Sequence, residues 1–136
     1  MRILIAASLA VLALGGLPAR AQDQTAAIQA TIIEQIEAFA ENPAAAFAFA
    51  SPDVKRNFID AKNFAQMVRN DYPMVLRPKD VRFSSLQAVK GLPVQGVIVT
   101  DQAGALHILD FEMIPGDDGW LVNAVRHRPG VNDAAA

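Results

Sequence analysis

Two proline-bearing elbows, Tyr72-Pro73 and Arg77-Pro78, cut the chain into halves with different hydrophobic periods. A period near 3.6 buries one stripe of a helix, and a period of 2 buries one face of a strand. Ahead of the elbows, Ile28, Ile32, Ile36 and Phe39 recur at spacings of three and four, with Gln29, Glu34, Gln35 and Glu37 placed off the stripe. This predicts an amphipathic helix from Thr25 that stops at Asn42-Pro43, where proline breaks the hydrogen-bond ladder. The same pair restarts the chain as a short helix over Ala44–Ala50, with Asn42 as N-cap and Phe47 offered to the core. Ser51-Pro52-Asp53 repeats the signal and opens a brief helical turn up to Phe58; Asp60 caps a last helix with Phe64, Met67 and Val68 on one face.

After Lys79 the grammar is that of strands and turns. Strands are expected over Asp80–Val89, Val94–Thr100, Ala105–Ile114 and Trp120–Arg128. Lys90-Gly91, Asp101-Gln102-Ala103-Gly104 and Gly116-Asp117-Asp118-Gly119 separate them. Helices followed by four consecutive strands imply an α+β domain, its N-terminal helices packed on a C-terminal four-stranded antiparallel meander. A curled, cone-like sheet of the nuclear-transport-factor-like or cystatin-like kind is the favoured version, and a flat two-layer sandwich the fallback. For the last hairpin, a three-residue loop with Gly119 left-handed sets Gly116 opposite Trp120, Met113 opposite Asn123, Phe111 opposite Val125 and Leu109 opposite His127. In that register Asp110 pairs with Arg126 across the outer face, and Ile108, Ile114, Trp120 and Val122 also lie outside. A slip of one residue reverses both faces.

The N-terminus reads as a secretory leader. Met1-Arg2 is followed by an apolar run from Ile3 to Leu17, then Pro18 and the small-x-small triplet Ala19-Arg20-Ala21. The run is shorter than the roughly 20 residues of a spanning helix, so no stable membrane anchor is expected after cleavage. The expected organisation is a leader over 1–21, one α+β domain over 22–128 and a frayed tail over 129–136, in a periplasmic or secreted product. The chain has 12 basic and 14 acidic residues; removal of Arg2 and Arg20 leaves 10 against 14, a net charge near −4. Nucleic-acid binding needs a basic surface, so no nucleic-acid partner is expected. The absence of cysteine removes disulfides, thiol nucleophiles and thiolate metal sites.

Chemistry has few places to sit. The two histidines, His107 and His127, fall on the inner face near strand ends, where each serves either as a general base or as a half-exposed surface residue. No H-x-H or H-x-x-x-H spacing is present, so neither metal nor cofactor is expected. Asp60, Asp71, Asp80, Asp110 and Glu112 each have a structural account as caps, ends or solvated strand charges. Asp117-Asp118 lacks the spaced ligands of a calcium loop. Tyr72 and Arg77, rigid beside their prolines where helices meet sheet, either clamp a small anionic ligand or, for Tyr72, plug the core with the hydroxyl on backbone. The candidate pocket is therefore Tyr72, Arg77, His107, Asn123 and His127.

One resemblance spans Ala27 to Arg128. The segments Ala46-Phe47-Ala48-Phe49-Ala50-Ser51-Pro52, Phe58, Phe64, Met67-Val68, Tyr72-Pro73, Arg77-Pro78 and Phe83, with the late Asp118-Gly119-Trp120, resemble the exported bacterial Domain of Unknown Function 4864 family. The last strand departs from its pattern at Val122-Asn123-Ala124. The resemblance implies one exported domain and carries over no functional residue. The favoured function is a non-catalytic module binding a small molecule or a protein, with a homodimer through the outer sheet face as one form. The alternative is a metal-independent hydrolase, isomerase or dehydratase with its site in the cone.

Overall fold

The computed structural model describes residues 19–129, so most of the leader and of the tail lies outside the described residues. Helix α1 (Ala19–Glu41) is followed by a 3-10 helix (Pro43–Phe49), α2 (Pro52–Phe58), α3 (Ala61–Asp71) and a 3-10 turn (Pro73–Val75). Strands β1 (Asp80–Val89), β2 (Leu92–Thr100), β3 (Leu106–Gly116) and β4 (Gly119–His127) then form one antiparallel sheet in the order β1-β2-β3-β4. The architecture is α+β with helices ahead of a meander, and the sheet is not closed into a barrel. Among the described residues no helix is long and apolar enough to cross a membrane.

Three of the helix starts are fixed by side chains that accept backbone N–H bonds. Asn42 accepts from Ala44, Ser51 from Val54 and Asp60 from Asn63, each with an extended backbone ahead of the helix. These bonds satisfy amides that have no partner within the helix. The helical layer then brings Ile28, Ile32, Ile36 and Phe39 of α1, and Phe64 and Val68 of α3, against the inner face of the sheet. That face presents Val97 and Val99 from β2, Leu109, Phe111 and Met113 from β3, and Val122 from β4. Phe64 sits among Phe39, Phe47 and Phe58, with ring centroids 5.2–6.1 Å away, a spacing at which offset and edge-on ring pairs attract.

Two bulges shape the sheet. In β1, Ser84 and Ser85 together oppose Gly96, since the register moves from Phe83↔Val97 to Leu86↔Gln95. Gly96 leaves room for this bulge: an added Cβ would meet Ser84 Oγ at 2.0 Å and Arg128 Nη2 at 3.2 Å, so the Ser84 hydroxyl would have to move.

In β4 the extra residue is Asn123, and it corrects the expected hairpin. Leu109↔His127, Asp110↔Arg126, Phe111↔Val125 and Glu112↔Ala124 pair as expected, but Met113 pairs with Val122, Ile114 with Leu121, and Gly116 with Gly119. The loop is therefore two residues long, and the bulge takes up the difference. As a result Val122 is buried and Trp120 packs against the core, where both were expected on the outer face. The outer face keeps Ile98, Ile108, Ile114 and Leu121, all half-buried. The expected Asp110–Arg126 ion pair is also replaced. Asp110 accepts both Nε–H and Nη2–H of Arg128 at 2.7 Å, and Arg126 reaches Glu112 at 3.6 Å. The bidentate contact holds the Arg128 pKa above its ordinary value.

Candidate functional site

A cavity of about 300 Å3 lies between the helical layer and the β4 side of the sheet. Val54, Asn57 and Phe58 of α2 form one wall; Phe64, Met67 and Val68 of α3 form a second. Phe111 and the segment 122–125 supply the sheet side. The α2 wall is lightly held, because none of its residues is buried. It hangs between two fixed points. At its start Ser51 N–H donates to Val122 O at 2.9 Å. At its end Ile59 takes φ 72° and ψ −52°, with Asp60 N–H donating to Phe58 O at 2.8 Å across it. This is a γ-turn in the strained left-handed half of conformational space, on an isoleucine that is 81% exposed.

Tyr72 and Asn123 both line this cavity. The Tyr72 hydroxyl donates to Val125 O at 2.9 Å, so it is the core plug with its hydroxyl on backbone. Asn123 stands in a polar chain at the bulge. Ser51 Oγ–H donates to Asn123 Oδ1 at 2.8 Å, and Asn123 Nδ2 donates to Glu112 Oε2 at 2.8 Å. The α2 cap and the last hairpin are thus one hydrogen-bonded unit.

Arg77, His107 and His127 lie elsewhere. His107 and Arg77 line a separate groove of about 310 Å3, with Met74, Asp101 and Gln102. His107 Nε2 is 2.8 Å from Asp101 Oδ2, and a carboxylate only accepts, so Nε2 carries the proton. Asp101 is itself oriented by the N–H groups of Ala103 and Ala105, each 2.9 Å from Oδ1. The His107 bond, then the Ala105 amide, hold the Asp101 carboxyl below the usual carboxylate range. The exposed His127 ring lies against His107 with centroids 5.6 Å apart. The five expected pocket residues thus divide into a cavity pair, Tyr72 and Asn123, a groove pair, Arg77 and His107, and His127, which touches His107 without lining either hollow. No group of three His, Asp or Glu side chains is poised to hold a metal among the described residues.

The family model described as a domain of unknown function, number 4864, matches residues 21–133. The chain belongs to the Domain of Unknown Function 4864 family. No curated protein and no solved structure matches it. The Domain of Unknown Function 4864 family brings no residue roles, so the site rests on this chain's own geometry. Several segments that carried the resemblance border the two hollows. Ala50 and Tyr72 line the cavity, and Pro73 and Arg77 line the groove.

Three contributors are new. Gln35 is 3% exposed and lines the cavity. Its signal was its position, seven residues after Ile28 and four before Phe39, which puts it on the buried stripe rather than off it. Ser51 was legible as a cap, but its burial was not. Asp101 was legible as a turn residue, and its bond to His107 follows only from the six-residue return of the β2–β3 hairpin.

Proposed function

We propose that this Domain of Unknown Function 4864 member is exported, is cleaved after Ala21, and serves in the periplasm as a non-catalytic module that binds a small molecule. The observation that carries the reading is the cavity of about 300 Å3 with mainly apolar walls and a few polar groups, the usual composition of a small-molecule site. Its position, where helices meet the β4 side of the sheet, agrees with a cone-like sheet of the nuclear-transport-factor-like kind. The leader pattern of Met1 to Ala21 supports export.

Native mass spectrometry of protein taken from its host's periplasm tests the reading. A chain beginning at Gln22 that carries extra mass, lost on denaturation, is the expected result. An uncleaved chain overturns the export, and a ligand-free chain with an empty cavity overturns the binding.

A second reading is favoured by one specific contact. An imidazole oriented by a carboxylate, as His107 is by Asp101, is the usual preparation of a general base, and Arg77 in the same groove would hold an anionic substrate. Turnover that survives His107→Gln removes this alternative.

A further inference from the structure

The polar groups in the cavity wall are unequally satisfied, and the inequality specifies a ligand. Tyr72 spends its hydroxyl proton on Val125 O, and Asn123 uses its amide on Glu112 and Ser51. Gln35 is different. Its Nε2 donates to Ala46 O at 3.4 Å, the far limit of a hydrogen bond, and its Oε1 accepts none. The residue is 3% exposed and lines the cavity, and its oxygen is not sealed in the core, since Ser84 Oγ is the one buried side-chain N or O atom without a partner among the described residues. The Gln35 oxygen is an acceptor left open for a donor that enters the cavity. No Asp, Glu, Lys, Arg or His lines the cavity. A charged ligand would therefore lose its hydration with no counter-charge in return.

We propose that the cavity takes an uncharged, mainly apolar molecule bearing one hydrogen-bond donor, a hydroxyl or N–H, which bonds to Gln35 Oε1. The proposal rests on the binding reading above and adds the ligand's chemistry to it. The volume is about twice the ~150 Å3 that holds a benzene ring, which sets the ligand at roughly a dozen non-hydrogen atoms. The molecule lies under α2, between Val54 and Phe58 on one side and Met67 and Val122 on the other.

Three probes of similar length separate the possibilities: 1-octanol, 1-methoxyheptane without the donor, and octanoate with a charge. Each is titrated into the mature chain while the methyl resonances of Val54, Met67 and Val122 are followed by NMR. Octanol is expected to shift these methyls and to bind about tenfold more tightly than the ether. Octanoate is expected to leave them unmoved. Gln35→Leu should bring alcohol and ether to about equal affinity, and Val54→Trp should abolish both.

Octanoate binding as tightly as octanol overturns the uncharged class while leaving the binding module standing. Equal affinity for alcohol and ether in the unmodified chain, or a preference that persists in Gln35→Leu, overturns the part given to Gln35. The comparison in the unmodified chain decides this even if the variant fails to fold. No shift with any of the three overturns the ligand class and the binding reading together.

Discussion

Single hydrogen bonds at the β4 side decide how the helices are held. The Tyr72 hydroxyl caps Val125 O at the sheet's edge, so Tyr72→Phe is expected to cost about 1 kcal/mol in urea unfolding. Ser51 combines a helix cap with the bond to Asn123 while being fully buried. Ser51→Ala should cost about 1–2 kcal/mol on the same assay, the larger loss because both bonds go. Asp101 gives the chain an acid limb. Its carboxyl titrates below the ordinary 3.8 because His107, Ala105 and Ala103 all favour its charged form. A depressed acid stabilises the fold above its unfolded pKa, and that stabilisation is lost as pH falls through the folded value. Asp101→Asn should therefore flatten the loss of stability below about pH 4, measured by urea midpoints across pH. An unchanged acid limb would place the effect on other carboxylates.

At the scale of elements, the γ-turn at Ile59 is the place where the chain works against its own stereochemistry. A left-handed conformation costs a β-branched residue roughly 1–2 kcal/mol that glycine avoids, against a glycine entropy cost of roughly 0.5–1 kcal/mol. The isoleucine side chain is largely exposed and loses little packing. Ile59→Gly is expected to raise the melting temperature slightly, and a fall would show that the strain is absent in solution. The helical half was legible because Asn42, Ser51 and Asp60 each announce a helix in their own side chain. The last hairpin was legible only from its open end, where Leu109 meets His127. Gly116-Asp117-Asp118-Gly119 admits a two- or three-residue loop, and nothing local shows that Asn123 drops out of register to reconcile the two. Gln35 was missed for a related reason: a polar residue on an apolar stripe looks like an exception until a cavity is known to sit beside it.

For the whole molecule, stability concentrates in the middle of the sheet. Strands β2 and β3 are paired on both sides and carry Val97, Val99, Leu109 and Met113 at 0% exposure, whereas α2 buries nothing completely. Native-state amide exchange should therefore open α2 first and β2–β3 last, near the global unfolding energy. Uniform exchange across the chain would contradict a loosely held cavity wall. The candidate site was only partly legible at this scale, because sequence spacing cannot tell that Tyr72 and His107 open onto different hollows. The two sheet edges differ as well. Ser51 N–H and the Tyr72 hydroxyl occupy carbonyls of β4, and Ala50 bridges to Val122, while β1 has no further strand beside it among the described residues. With these β4 groups already engaged, β1 is the more open edge for an added strand. Two copies joined β1 to β1 about a two-fold axis would each spend that open edge on the other, and the contact would close on itself as a pair.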